Sequence, residues 1–205
     1  MTFSLQHSAI ALALGLATAL PAQAQSADFS TWTALGDVLA TSNSVGLSTG
    51  YAGEDAQYGG SALLGYELDT ELGTAFDADT VEGSALFTSF SAAAGTKISV
   101  DFGFNGAPAD AVCPDCLDRA YYVLDGVATS FASVGTVGGG LVLTLTSDGP
   151  HTLAFAVLDV GDSLGVSTLT LSGLTVTPAV PEPSSVALLL AGLGAVGVAA
   201  RRRRG

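Results

Sequence analysis

From residue 84 to residue 177 apolar and polar positions alternate with a period of two. In Lys97–Phe104, Ile98, Val100, Phe102 and Phe104 share one face, and Lys97, Ser99, Asp101 and Gly103 share the other. That is the pattern of a strand with one buried and one wet side. The same alternation groups Leu141, Leu143 and Leu145, and it groups Leu153, Phe155 and Val157 within Thr152–Leu158. Ser84–Ser91, Arg119–Leu124 and Val127–Val134 give further strands. The last two are joined by Asp125-Gly126, a strong two-residue hairpin signal. In Ser167–Thr177 the parity changes between Leu169/Leu171 and Leu174/Val176, with Gly173 at the switch, which predicts a β-bulge. Gly138-Gly-Gly140 predicts a break in the chain before the strand that starts at Leu141.

Before Gly83 the pattern is looser. Trp32, Leu35, Val38 and Leu39 mark an early strand region ended by Thr41-Ser-Asn-Ser44, and residues 51–60 have the composition of a loop. Ala62–Leu68 fits a short strand, yet Leu63, Leu64, Leu68 and Leu72 fit a helical turn over Ser61–Leu72, and periodicity leaves both open. Asp69–Glu82 predicts a long acidic loop. No long segment of helical period lies between the two ends of the chain. Roughly seven to nine short, Gly-punctuated strands predict an all-β domain, an antiparallel β-sandwich of jelly-roll type.

The ends have different grammars. Ala9–Leu20 is an apolar core closed by Pro21, and Ala22-Gln23-Ala24 is a small-x-small site, so residues 1–24 predict a secretory signal peptide cut before Gln25. An uncleaved anchor is the alternative. At the other end Val180-Pro-Glu-Pro-Ser-Ser185 precedes the apolar run Val186–Ala200 and Arg201–Arg204. Pro181 and Pro183 lack a backbone N–H and hold an extended hinge; the run predicts a transmembrane helix, and the arginines stay on the cytoplasmic side. With Pro181, Glu182 and Pro183 intact, this segment resembles a PEP-CTERM protein-sorting signal.

That resemblance implies an exosortase-type sorting enzyme as partner, with cleavage near Pro181–Pro183. It further implies a precursor tethered in the inner membrane, with Arg201, Arg202, Arg203 and Arg204 as the membrane stop. Delivery to the cell surface or an extracellular, exopolysaccharide-rich biofilm matrix follows. At about 22 Å as a helix, Val186–Ala200 falls short of a hydrocarbon core of about 30 Å, which suits a temporary hold. The chain thus divides into a signal peptide (1–24), a sandwich ectodomain (25–178) and a sorting signal (179–205). The strands over Glu82–Thr177 also resemble the β-sandwich ectodomains of PEP-CTERM proteins, similar in outline to galactose-binding-like carbohydrate modules.

Charge narrows the partners. Of 19 acidic residues only Glu182 lies in the tail, and of six basic residues only Lys97 and Arg119 lie in the body. So acidic a body repels phosphate backbones, which argues against nucleic acid. It suits a solvated surface or a divalent cation. Asp77, Asp79 and Glu82, with Asp159 and Asp162 from a second loop, offer the oxygen ligands calcium prefers, without the EF-hand spacing. Cys113 and Cys116, in an exported protein with no βαβ pattern, predict a local disulfide rather than a redox site. Trp32, Tyr121 and Tyr122 are candidate sugar-stacking rings. No nucleophile elbow, phosphate loop or His-Glu-x-x-His motif is present, so an enzyme is not expected, and a glycan-active hydrolase ranks behind a surface structural protein and a calcium-bearing carbohydrate-binding module.

Overall fold

A computed structural model describes residues 23–51, 55–76, 78–108, 116–180 and 183–203. The expected signal peptide, apart from its last two residues, lies outside them. Among the described residues twelve strands form two antiparallel sheets. The first has the order β10 (Gly138–Thr144), β7 (Lys97–Asn105), β12 (Thr168–Thr177), β4 (Ser44–Ser48) and β3 (Asp37–Ala40), with β1 (Gln25–Ser26) added to β12. The second has the order β2 (Thr33–Leu35), β6 (Thr80–Ala92), β11 (Gly149–Val160), β8 (Arg119–Leu124) and β9 (Val127–Ser133), with β5 (Leu63–Leu64) on β6. The expected β-sandwich is what forms.

The alternating residues meet between the sheets. Val45, Leu47, Ile98, Val100, Leu169 and Leu171 from one sheet face Leu86, Leu153, Phe155 and Val157 from the other. Phe155 is fully buried, with Trp32 at 6.1 Å and Phe131 at 6.5 Å between ring centres. β11 is buried on both faces, because its even-numbered residues Ala156 and Leu158 pack with Leu68, Ala85 and Tyr121 in a second cluster on the outer side. Leu68 and the partly buried Leu72 of that cluster come from α1 (Gly65–Leu72).

That helix settles the open choice in residues 61–72: Leu63–Leu64 is a strand and Gly65–Leu72 a helix. Glu67 accepts the Leu64 N–H at 3.0 Å, a charged acceptor on an otherwise unpaired helix N-terminus. Two other expectations need correction. The acidic loop is shorter than Asp69–Glu82, since α1 takes its start and β6 already runs from Thr80. The Gly138–Gly140 run does not break the chain; it pairs with Gly103, Phe102 and Asp101. A side chain at Gly138 would stand 2.6 Å from the Phe102 carbonyl, so glycine is what allows this pairing. The bulge in β12 lies where parity placed it, with the register shifting between Ser172 and Thr175 and Gly173 at φ 64°. Asp125 and Gly126 both take positive φ, as a tight hairpin turn requires.

The tail continues as α2 (Pro183–Arg202). Leu188, Leu189, Leu190, Leu193 and Val196 are all exposed. The transmembrane helix expected over Val186–Ala200 is not met as such: α2 forms there, but among the described residues no helix is long and apolar enough to cross a membrane.

Candidate functional site at the acidic end

At one end of the sandwich the inward-facing positions of three strands turn from apolar to acidic. On β11, Asp159 continues the row Leu153, Phe155, Val157. On β6, Glu82 continues Leu86 and Ser84, and it is the direct cross-strand partner of Asp159. Asp118 stands just before β8, one step beyond the Leu158–Arg119 pair. All three carboxylates are buried, and Asp118 accepts the Val160 N–H at 3.1 Å.

Glu82 differs from its neighbours. It is 7% exposed and faces a cavity rather than the packed core. It lines a cavity of about 230 Å³ with Tyr51, Asp55, Ser163 and Gly165. Burial, and then the nearby Asp55 carboxylate, push the Glu82 carboxyl above its ordinary range. An acid in that position welcomes a cation or a hydroxyl donor. With its folded pKa above the ordinary 4.5, ionisation opposes folding as pH rises from 4.5 through the raised value. Glu82→Gln should therefore raise the melting temperature at neutral pH and flatten its fall over that interval; thermal melts from pH 4 to 8 check this.

The loops around the cavity are held by buried polar contacts. Thr49 N–H donates to the Ser167 carbonyl at 3.0 Å, Ser167 N–H returns to Thr49 Oγ1 at 3.0 Å, and Ala107 N–H donates to Ser167 Oγ at 2.8 Å. Beside them Asp37 is fully buried and acts as an internal anchor. It accepts the Ser48 hydroxyl and the N–H groups of Gln57 (2.7 Å), Tyr58 (3.0 Å) and Gly60 (2.8 Å). Burial pushes its carboxyl up, but the Ser48 hydroxyl and these N–H groups outweigh burial and hold it below 3.8.

The residues singled out from sequence are spread through the molecule. Glu82 and Asp159 come together. Asp79 is exposed and its carbonyl accepts the Gly161 N–H at 2.9 Å, while Asp162 accepts the Leu164 N–H at 2.7 Å. Asp77 lies outside the described residues. Among the described residues no group of three or more His, Cys, Asp or Glu side chains is arranged to hold a metal ion. Cys116 is buried, and Cys113 lies outside the described residues. Tyr121 is buried against Phe76, ring centres 5.4 Å apart, and Tyr122 is half-buried beside Phe131. Trp32 lines a separate cavity of about 330 Å³ at the opposite end. Pro181 and Glu182 lie outside the described residues and Pro183 opens α2. Arg201 and Arg202 close that helix, and Arg204 lies outside the described residues.

Asp37, Asp55 and Asp118 escaped the sequence reading. For Asp118 a signal existed: it has the inward parity of Ala120 and Tyr122 at a strand end, as Asp159 and Glu82 have on theirs.

The opposite end carries His151, 3% exposed. Its Nδ1 lies 2.7 Å from Asp125 Oδ2, and its Nε2 lies 3.2 Å from the Ser147 carbonyl. Both partners are acceptors, so the doubly protonated ring satisfies both. The Asp125 hydrogen bond raises the His151 pKa above 6.5 in spite of burial, and the same bond holds Asp125 below 3.8. The Asp125 contribution is lost as pH falls through its lowered value; the His151 contribution is complete below 6.5 and lost as pH rises through its raised value. The melting-temperature gap between the wild type and His151→Phe should thus be widest between pH 3.8 and 6.5 and narrow as pH rises through the raised His151 value.

The architecture is that of a small two-sheet antiparallel β-sandwich, and two solved carbohydrate-binding modules are distantly similar to it. One solved with beta-1,4-galactotriose (TmCBM61) is 12% identical, covering 74% of this chain and 91% of its own, with a TM-score of 0.38. A family 35 module from Clostridium thermocellum is 13% identical, covering 77% and 100%, with a TM-score of 0.35. The chain has no significant match among curated proteins. What its sequence states specifically is at the tail: residues 179–204 match the PEP-CTERM protein-sorting motif. That motif implies processing by an exosortase, and proteins that carry it are exported and sorted to the cell surface.

Proposed function

We propose that this chain is an exported structural component of the cell surface or extracellular matrix, delivered by its C-terminal signal. In the precursor, α2 and the flanking arginines hold the protein in the inner membrane. A sorting enzyme then cuts near Pro181–Pro183 and the sandwich leaves for the surface. The observation that carries this reading is the sorting motif at residues 179–204, directly after a sandwich with its own core. The exposed leucines of α2 support the tether, since a bilayer is a natural cover for them. The 15-residue apolar run favours a temporary hold. The domain's part is structural rather than enzymatic, and a Cys113–Cys116 disulfide would stiffen the segment before β8. In a cell with its sorting enzyme, changing Pro181, Glu182 and Pro183 to alanine should leave the precursor in the membrane fraction; release equal to the wild type would refute the proposal.

A second reading rests on Glu82. A buried carboxylate that lines an open cavity beside Asp55 and Asp159 suits a surface module that binds a polyhydroxylated glycan, with calcium as the cofactor its oxygens would hold. Affinity electrophoresis of the processed protein in the organism's own exopolysaccharide, with and without calcium, separates the two. Retardation favours the binding module, and unchanged mobility leaves the structural role.

A further inference from the structure

Both ends of the domain leave through one face. Gln25 stands opposite Val176, so the chain before β1 and the chain after β12 emerge side by side. This face is a plate of three turns: Ala93–Thr96, Leu145–Asp148 and Asp125-Gly126. They are tied to one another. Ala94 N–H donates to Asp148 Oδ1 at 2.7 Å, Gly95 N–H to the Leu145 carbonyl at 2.8 Å, and Leu145 N–H to the Thr96 carbonyl at 2.9 Å. His151 bridges Asp125 and Ser147.

The chain stays on the plate as it leaves. Thr177 pairs with Lys97, and Ala179 is half-buried. A Cβ placed on Gly95 would lie 3.3 Å from that of Ala179. Only residues 180–182 then separate Ala179 from α2, a span of at most about 14 Å. A helix held in a bilayer therefore keeps this end of the sandwich at the membrane surface.

We propose that the sandwich stands upright on the bilayer, with the three-turn plate and the Trp32 cavity against the lipid headgroups and the Glu82 cavity facing outward. The proposal rests on the membrane tether described under the proposed function. Trp32 is the only tryptophan of the chain and is half-buried at this end, in the cavity that Phe90, Leu174, Val176, Gln25 and Ser91 also line. An indole offers an apolar body and an N–H donor, a combination that favours the headgroup level. Along β11, Asp159 lies eight residues beyond His151, about 27 Å further from the membrane. Upright, the domain carries Glu82, Asp118 and Asp159 away from the lipid and displays the Glu82 cavity to the outside, while Asp125 and Asp148 of the plate, engaged by His151 and the Ala94 N–H, and Asp28 of the Trp32 cavity lie on the membrane side.

The test uses the full-length chain in phosphatidylcholine vesicles carrying a nitroxide on the headgroup, with Trp32 as the only tryptophan reporter. The expected result is a loss of Trp32 emission that an insertion of some twenty Gly/Ser residues between Val180 and Pro181 reverses, since about 25 Å of flexible reach frees the domain. If the chain floats with the vesicles but Trp32 emits as it does with unlabelled lipid, the tether stands and the upright orientation is wrong. If the chain fails to float with the vesicles, the tether itself is wrong and this proposal falls with it.

Discussion

Asp37→Ala is expected to destabilise the domain by about 3–4 kcal/mol, because it strands a hydroxyl and several N–H groups that now share one buried charge. The substitution leaves the Ser48 hydroxyl and the N–H groups of Gln57, Tyr58 and Gly60 facing an empty space. Asp37 also ties the sheets together: its own N–H donates to Ser84 Oγ at 2.8 Å, and that hydroxyl donates to the Ser48 carbonyl at 2.6 Å. Asp37→Asn should cost less, since it keeps one acceptor oxygen while turning a donor toward other donors. The wild-type contribution is complete above pH 3.8 and is lost as pH falls through the lowered Asp37 pKa. Urea unfolding at pH 7 and at pH 3 tests both statements. Equal midpoints for the wild type and Asp37→Ala at pH 7 would show that the anchor does not matter.

Phe155→Ala should cost about 3–5 kcal/mol, the range for removing a large ring from a packed core. Phe155 sits at the centre of β11 with no exposure, between Trp32 and Phe131, and its strand partners Leu86 and Tyr122 come from both neighbouring strands. Those neighbours belong to β-strands fixed by their own ladders, so they cannot close the gap. Ala156→Gly, one residue along but facing the smaller cluster beneath α1, should cost clearly less. Guanidinium unfolding of the two variants, compared at equal slope, checks the order. A smaller loss for Phe155→Ala than for Ala156→Gly would place the core on the wrong face of β11.

Much of the sandwich is legible in the sequence because a half-buried strand repeats every two residues. Ile98, Val100 and Phe104, or Leu153, Phe155 and Val157, can only point one way. The turn at Asp125-Gly126 and the bulge at Gly173 are legible for the same local reason: their backbone conformations leave few residue types to choose from. The segments that sequence left open or misplaced depend on distant partners. Gly138–Gly140 reads as a break until Phe102 supplies a backbone that glycine alone can approach. The helix Gly65–Leu72 is too short to declare itself, and it forms over Ala85, Tyr121 and Leu158. The acidic end is legible in part. Glu82 and Asp159 stand out as acids, but their adjacency depends on the β6–β11 register. Asp37 is invisible as an anchor, because the N–H groups that hold it come from a loop some twenty residues further on.

The central claim is that the tail is an address removed on delivery. Mass spectrometry of the protein recovered from the cell surface or extracellular matrix tests it most directly. The account predicts a C-terminus near Pro181–Pro183, with α2 and Arg201–Arg204 gone. Surface protein that still carries Arg201–Arg204 would contradict it.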